Sequence, residues 1–412
     1  MISSVFSINS INKRMKIFSL KLLLNKYFIN IFIVKNMSGS NIYTIYLILI
    51  IIPLSISDYE DFTISPIYPN DKYSNSIILK LLKHEGIKKD RNLDYTCVAY
   101  DSEYNIVGTG SCFGNTLRCL AVSSEHRGEG LTNKIISHLI QYQFERGNFH
   151  LFIYTKYTTY HLFKDLGFYE IVRIKDQIVF MENKKTGFSD YLNELKKTKK
   201  GDENNKIAAI VMNANPFTLG HQYLIEKASK ENDILHLFMV SEDKSIVPFN
   251  IRKKLIMEGT KHLNNIIYHD SGPYIISSST FPSYFQKDEK DVIESHANLD
   301  IEIFVKIAKV LNINVRYVGE EPISLVTGIY NQLMIKKLPE NGIKCIVVPR
   351  KMNIDGNNII SASGVREAIK KDKMDEIKNM VPECTYKFFS SEEGKNIVKK
   401  IQKMDMDSIK HY

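Results

Sequence analysis

Apolar and polar residues follow two different rhythms along this chain, and the change comes near residue 206. Between residues 64 and 181 the pattern is mixed. The spacing of SNSIILKLLKHEG (74–86) predicts a helix with a glycine stop. Apolar runs at 95–100, 106–110 and 117–122 predict strands. EHRGEGLTNKIISHLIQYQFERG (125–147) reads as a glycine-containing turn opening a long amphipathic helix, and HLFIYT (150–155) as a strand. YTTYHLFKDLGF (157–168) predicts a short helix with a glycine stop, and strands near 169–174 and 178–181 close the region. Residues 183–205 are charged and polar around one short helical patch, which predicts a linker.

From residue 206 the alternation becomes regular. The strand IAAIVM (207–212) is followed by a helix near 219–230, the strand ILHLFMV (234–240) and a helix near 250–262. After a long middle segment come strands at VRYVG (315–319) and KCIVVP (344–349) and a helix from about residue 363. Apolar strands separated by helices predict a parallel sheet covered on both faces. Ligands of such sheets bind at the carboxyl ends of the strands. The fold class expected is α/β, with an α+β domain over 58–182 and a Rossmann-like domain over 206–412.

Composition changes the picture in two places. The net charge of +9 over 412 residues suggests a nucleic-acid or anionic partner until its location is considered. Residues 1–57 carry six basic and no acidic side chains, leaving 49 basic against 46 acidic residues in the rest. The body is therefore nearly neutral, and no nucleic-acid partner is expected. The five cysteines form no C-x-x-C pair, which points to a reducing, cytoplasmic compartment with Cys112 and Cys119 as buried thiols. The first 57 residues stand apart as an extension. Within them YTIYLILIIIPLSIS (43–57) is strongly apolar, but short for a bilayer span and interrupted by Pro53. A membrane is not expected as a partner unless that segment is kept as an anchor; a targeting segment and a disordered extension are the other readings.

The candidate chemistry lies in MNANPFTLGH (212–221). It spans the end of the first regular strand and the start of the helix after it. Thr218 is placed as an N-cap, with His221 where a capping box normally carries Glu or Gln. A cation there opposes the helix dipole, so His221 is expected to be neutral or to face an anion drawn by the same amides. Gly220 removes a side chain where something must approach the backbone. These features describe a phosphate cradle. A second stretch, IISASGVREAIKK (359–371), brackets a helix start with Ser361 and Ser363 and puts Arg366 in its first turn, where a guanidinium can hold two phosphate oxygens.

Together T-x-G-H and I-S-x-S-x-x-R resemble the two signatures of the nucleotidyltransferase superfamily. The resemblance implies that Thr218 and His221 meet the ATP phosphates at the reacting phosphorus, while Ser361, Ser363 and Arg366 hold the outer phosphates. Thr218, His221 and Arg366 are thus the expected catalytic residues. Asn213, Asn215, Phe217 and Gly220 are expected to bind ATP with them. In RYVGEEP (316–322), Gly319 would admit close backbone approach, and Glu320 or Glu321 would accept from adenine or ribose. Arg252 reads either as a further phosphate contact or as a surface arginine. Ser271, Tyr274 and Ser277 read as a substrate loop or, for Tyr274, as core.

The blocks SGPYIISSSTFPSYFQK (271–287), HANLD (296–300), RYVGEEP and YNQLM (330–334) resemble those of the citrate lyase ligases. The activity implied is ATP-dependent acetylation, through acetyl-adenylate, of the thiol of the phosphoribosyl-dephospho-CoA group on the acyl carrier subunit of citrate lyase. Magnesium held through the phosphates, with no metal site of the protein's own, is expected. The alternative is an adenylyltransferase acting on a phosphopantetheine or a mononucleotide. The amino-terminal domain resembles the GNAT acetyltransferases. Its R-G-E-G-L-T places Arg127, Gly128 and Gly130 where the family's loop holds a CoA pyrophosphate. Thr132 stands where Gly or Ala is usual and would crowd that group. The reading taken is therefore a noncatalytic domain that recognises the CoA-like arm or its carrier.

Overall fold

In the computed structural model, residues 62–90, 93–241, 245–275, 289–320, 325–352 and 359–405 are described, with the backbone of three earlier strands. Those strands, Met15–Leu24, Tyr27–Asn36 and Ile45–Pro53, form an antiparallel sheet in chain order. They belong to a separate unit, residues 1–63 with 101–104. Of the apolar stretch 43–57, only 45–53 is described, as a strand. Among the described residues no helix is long and apolar enough to cross a membrane.

The larger unit carries two sheets. The first runs in the order Thr63–Pro66, Tyr95–Tyr100, Ile106–Phe113, Thr116–Val122, Phe152–Lys156, Ile178–Glu182, Tyr169–Ile174. From Tyr95–Tyr100 onward its pairs are antiparallel apart from one parallel pair. That pair, Thr116–Val122 with Phe152–Lys156, is joined only at Thr116↔Phe152 and Leu117↔Ile153, so the strands part beyond it. The helix Leu131–Glu145 packs over the strand Ile106–Phe113 so tightly that a Cβ on Gly110 would meet Ile135 at 2.6 Å.

The second sheet is wholly parallel, in the order Ile266–Asp270, Ile234–Met239, Ile207–Met212, Val315–Gly319, Lys344–Val348. Its central strand is apolar throughout because both faces are covered. Ile207 and Ala209 join one core, and Ala208, Ile210 and Met212 the other. The chain crosses from one half of the sheet to the other between Ile207–Met212 and Val315–Gly319, and that topological switch opens a crevice at the carboxyl ends of these two strands.

In the middle segment of the second domain, three elements were not expected from the pattern: the strand Ile266–Asp270 and the helices Glu289–Leu311 and Leu325–Glu340. The strand ends in Tyr-His-Asp, which hides its periodicity. The second helix is apolar around much of its circumference, so no single stripe marks it.

The predicted linker contains the helix Gly187–Lys197, whose Phe188 and Leu195 are buried. They enter a core that also takes Phe152 and Phe180 from the first sheet and Leu299 and Phe304 from the helix Glu289–Leu311. Glu182 is the polar fastening of this seam. Its buried carboxylate accepts from His150 Nε2 at 2.6 Å, Tyr274 OH at 2.8 Å and the Phe188 amide at 2.7 Å. Tyr274 is thus the core residue, and Ser277 lies outside the described residues.

His236 and His269 form a buried pair on adjacent strands, with Nδ1 of the first 2.8 Å from Nε2 of the second. His236 Nε2 has no partner among the described residues, so the cheapest arrangement leaves it unprotonated and has Nδ1–H donate to His269. Burial holds both imidazoles well below their ordinary pKa. The unfolded chain then takes up these protons first as pH falls below about 6.5. Their contribution is full above that pH and turns increasingly against the fold as acid is added. The urea midpoint should fall between about pH 7 and pH 5, and His236→Val with His269→Phe should flatten that fall. An unchanged slope in the double variant would show that other groups carry the acid response.

Candidate active site

The first motif turns off the central strand at its carboxyl end, through a cis Asn215–Pro216 peptide, into the helix Leu219–Glu231. Thr218, almost fully buried, is the N-cap. Its Oγ1 accepts from the His221 amide at 3.3 Å, and the Thr218 amide donates back to His221 Nδ1 at 3.1 Å. Thr218 Oγ1 also lies 2.9 Å from Nδ1. A histidine thus completes a capping box in the place of Glu or Gln. With Nδ1 accepting, the neutral ring carries its proton on Nε2. Burial, followed by the charges of Arg350 and Arg366, pushes the His221 pKa down to about 4. His221 is therefore a neutral Nε2–H donor at a helix start, in a field that favours an anion.

The second motif starts the helix Ala362–Lys370. Ser361 is its N-cap, accepting from the Gly364 amide at 3.0 Å, and its hydroxyl lies 3.1 Å from that of Ser363. Arg366 is buried, and its Nη1 donates to the Asn215 carbonyl at 2.6 Å, tying the two motifs together across 151 residues of chain. Burial pulls its pKa down to about 10, so it stays charged at neutral pH.

Gly220 belongs to the same junction. A Cβ there would meet the Ile360 carbonyl at 3.2 Å, so the backbone that approaches it is that of the second motif. Gly319 is the opposite case, because a Cβ there would meet nothing within 4 Å. Gly220→Ala is expected to push the motifs apart and raise the KM for ATP, while Gly319→Ala leaves the Tm unchanged. Titrating ATP at saturating acetate checks the first, and equal KM values in Gly220→Ala and the parent would detach the junction from nucleotide binding.

Asn213 exchanges hydrogen bonds with Ser245, and Asn215 Oδ1 accepts from the Val247 amide at 3.0 Å, so both hold the loop after the second strand. Phe217 is fully buried beneath His221, its ring 6.1 Å from the imidazole. Glu320 is exposed at the carboxyl end of Val315–Gly319, its amide bonded to the Val348 carbonyl at 2.8 Å; Glu321 lies outside the described residues.

Arg252 is neither a surface arginine nor turned outward. It is fully buried, its Nε donating to the Val247 carbonyl at 2.9 Å and its Nη1 to Asn213 at 2.8 Å and Val240 at 2.9 Å. The sequence reading missed Arg350, which follows the strand Lys344–Val348 and donates from Nε to the Glu320 carbonyl at 2.7 Å. The visible signal was the Arg-Lys pair immediately beyond a parallel strand, where side chains face the crevice.

The donors gathered here are amides, hydroxyls, an imidazole and guanidinium groups, a set suited to phosphate and not to a cation. Among the described residues no group of three His, Cys, Asp or Glu side chains is placed to hold a metal ion. Arg127, Gly128 and Gly130 lie in the other domain. Gly130 is the N-cap of Leu131–Glu145 with φ of 74°, Gly128 has φ of 89°, and a Cβ at either would meet nothing within 4 Å. Arg127 is paired with Glu85.

Two family models match separate parts of the chain. Residues 207–389 match the family model of the citrate lyase ligase C-terminal domain, and residues 60–169 that of the acetyltransferase (GNAT) family. The chain is 37% identical over 319 residues to the [citrate [pro-3S]-lyase] ligase of Haemophilus influenzae, covering 76% of this chain and 94% of the relative. It is 35% identical over 321 residues to that of Klebsiella pneumoniae, covering 77% of this chain and 93% of the relative.

Proposed function

Because the chain belongs to the citrate lyase ligase family, an acid–thiol ligase that activates citrate lyase by acetylation, we propose that its two joined motifs carry out the ATP-dependent step through acetyl-adenylate. The observation that carries this is the neutral His221, with Nδ1 engaged and Nε2–H available, at a helix start tied by Arg366 to a second helix start. An acetate oxygen forms a bond to the α-phosphorus of ATP. The bond from that phosphorus to the bridging oxygen breaks, and its electron pair leaves with pyrophosphate. His221 and the amides of the Leu219–Glu231 helix stabilise charge at the reacting phosphorus, and Ser361, Ser363 and Arg366 position the outer phosphates. Gly319 and Glu320 bound the nucleotide at the carboxyl end of their strand, while Asn213, Asn215 and Phe217 act from beneath, holding the loop after the second strand and backing the His221 ring, and Gly220 closes the junction. The carrier's thiol then attacks the acetyl carbon as thiolate, the thioester forms, and AMP departs.

The donors gathered here suit an anion, so magnesium would arrive on the phosphates and the protein's part is to hold the anion it accompanies. The GNAT-like domain takes a recognition role toward the CoA-like arm, supported by the open turn at Gly128 and Gly130 and by the strands that part beyond Leu117.

The test is ATP–pyrophosphate exchange with and without acetate, before carrier is added. Acetate-dependent exchange is the expected result. Exchange that requires phosphopantetheine or a mononucleotide in place of acetate would overturn the carboxylate reading and favour a dinucleotide-forming adenylyltransferase.

A further inference from the structure

Arg316 is a buried cation with donors to spare. It is 5% exposed, yet neither Nε nor Nη1 has a hydrogen-bond partner among the described residues. Its guanidinium lies over the Phe304 ring at 4.2 Å. Asp300 is the opposing charge that acts on it most strongly and also hydrogen-bonds Tyr330, whose ring meets His296 edge-on at 5.4 Å. Burial draws the Arg316 pKa below its ordinary value, but a guanidinium stays charged. Buried N–H groups left unmade are expensive, so a natural site supplies them with a water or a ligand.

The height of this cluster in the sheet decides what that ligand is. Asn331 Nδ2 donates to the Gly319 carbonyl at 3.0 Å, which fixes its turn of the helix Leu325–Glu340, and Tyr330 with it, beside the carboxyl end of the strand Val315–Gly319. Asp300 stands eleven residues before the end of the helix Glu289–Leu311, about 16 Å along its axis. That matches the length of the five-residue strand that follows, about 16 Å. Arg316 starts low in that strand, level with Ala209, and reaching Phe304 and Asp300 brings its guanidinium up toward the crevice. It does so on the face opposite the helix Leu219–Glu231, whose buried residues join the other core. The two sides of the switch point therefore hold different chemistry: a phosphate cradle on one, and an unfilled buried guanidinium beside apolar Phe304 on the other.

We infer that Arg316, with Tyr330 and Asp300 around it, forms the subsite for the short-chain carboxylate substrate. One carboxylate oxygen is held by the guanidinium, the other faces the crevice, and the small alkyl end lies against apolar side chains. This deepens the adenylation reading above and rests on it.

Two measurements on the full chain separate the ideas: binding of labelled acetate by equilibrium dialysis in the presence of a nonhydrolysable ATP analogue, and exchange as a function of acetate and of ATP. Arg316→Lys is expected to raise the dissociation constant and the KM for acetate about tenfold or more, leaving the KM for ATP within about twofold. A folded Arg316→Lys protein that binds acetate like the parent overturns the subsite, as does an equal rise in the acetate and ATP constants. If the parent shows no acetate-dependent exchange but binds acetate in an Arg316-dependent way, the adenylation reading fails and the subsite stands. If the parent binds no acetate, the subsite falls. Should Arg316→Lys not fold, Tyr330→Phe, which keeps the ring and removes only the hydroxyl, is judged by the same outcomes.

Discussion

Replacing His221 with alanine should lower acetate-dependent ATP–pyrophosphate exchange by about 10²- to 10³-fold, the usual loss when one preorganised donor is removed from developing phosphoryl charge. The protein should remain folded. Thr218 Oγ1 would still cap the helix start, while the two bonds to Nδ1, from the Thr218 amide and from Thr218 Oγ1, would be lost, a cost of about 1 kcal/mol. His221→Gln presents a side-chain N–H at similar reach and should recover part of the rate. The pH profile offers a separate check. With the native pKa lowered to about 4, the ring is neutral throughout the neutral range, and only as pH falls through about 4 should Nδ1 take up a proton and lose its bond from the Thr218 amide. Parental exchange rates in a folded His221→Ala protein would remove the histidine from the chemistry.

Arg252→Ala is expected to have the largest effect on stability, a loss of about 3 kcal/mol or more. The side chain is fully buried and joins three carbonyls, those of Val247, Asn213 and Val240, which belong to the first motif, the end of the second strand and the loop beyond it. Alanine leaves all three without this donor and opens a cavity the size of the guanidinium. Lysine restores the charge but not the planar fork, so it should recover only part of the loss. Urea unfolding reads the effect as a lower midpoint at unchanged slope. A midpoint shift worth less than about 0.5 kcal/mol would return Arg252 to the class of replaceable surface residues.

The contrast between these two residues explains which parts of the site were legible. His221 was readable because its role is local: a cap, a helix start and a glycine lie within four residues, and helix geometry fixes their relation. Arg252 also sits near a helix start, but its meaning depends on carbonyls 5, 12 and 39 residues away. Spacing carries no information about those. Gly220 shows the same limit, since the need for a small residue was readable while the Ile360 carbonyl that imposes it lies far along the chain. Arg350 and Arg316 were missed for a related reason. Their importance lies in what surrounds them, a histidine's electrostatic field in one case and the lack of hydrogen-bond partners in the other.

The sequence by itself determined the two sheet types, the helix starts capped by Thr218 and Ser361 and the near-neutral body of the protein, because periodicity, capping and charge are properties of short stretches. Tertiary structure alone decided how those pieces are joined. It brought Arg366 onto the Asn215 carbonyl, seated the helix after Glu182 in a shared core, and buried the Arg316 guanidinium against Phe304 with two of its nitrogens unpartnered among the described residues. Each depends on long-range burial, where desolvation makes a single partner, or its absence, count far more than it does in water.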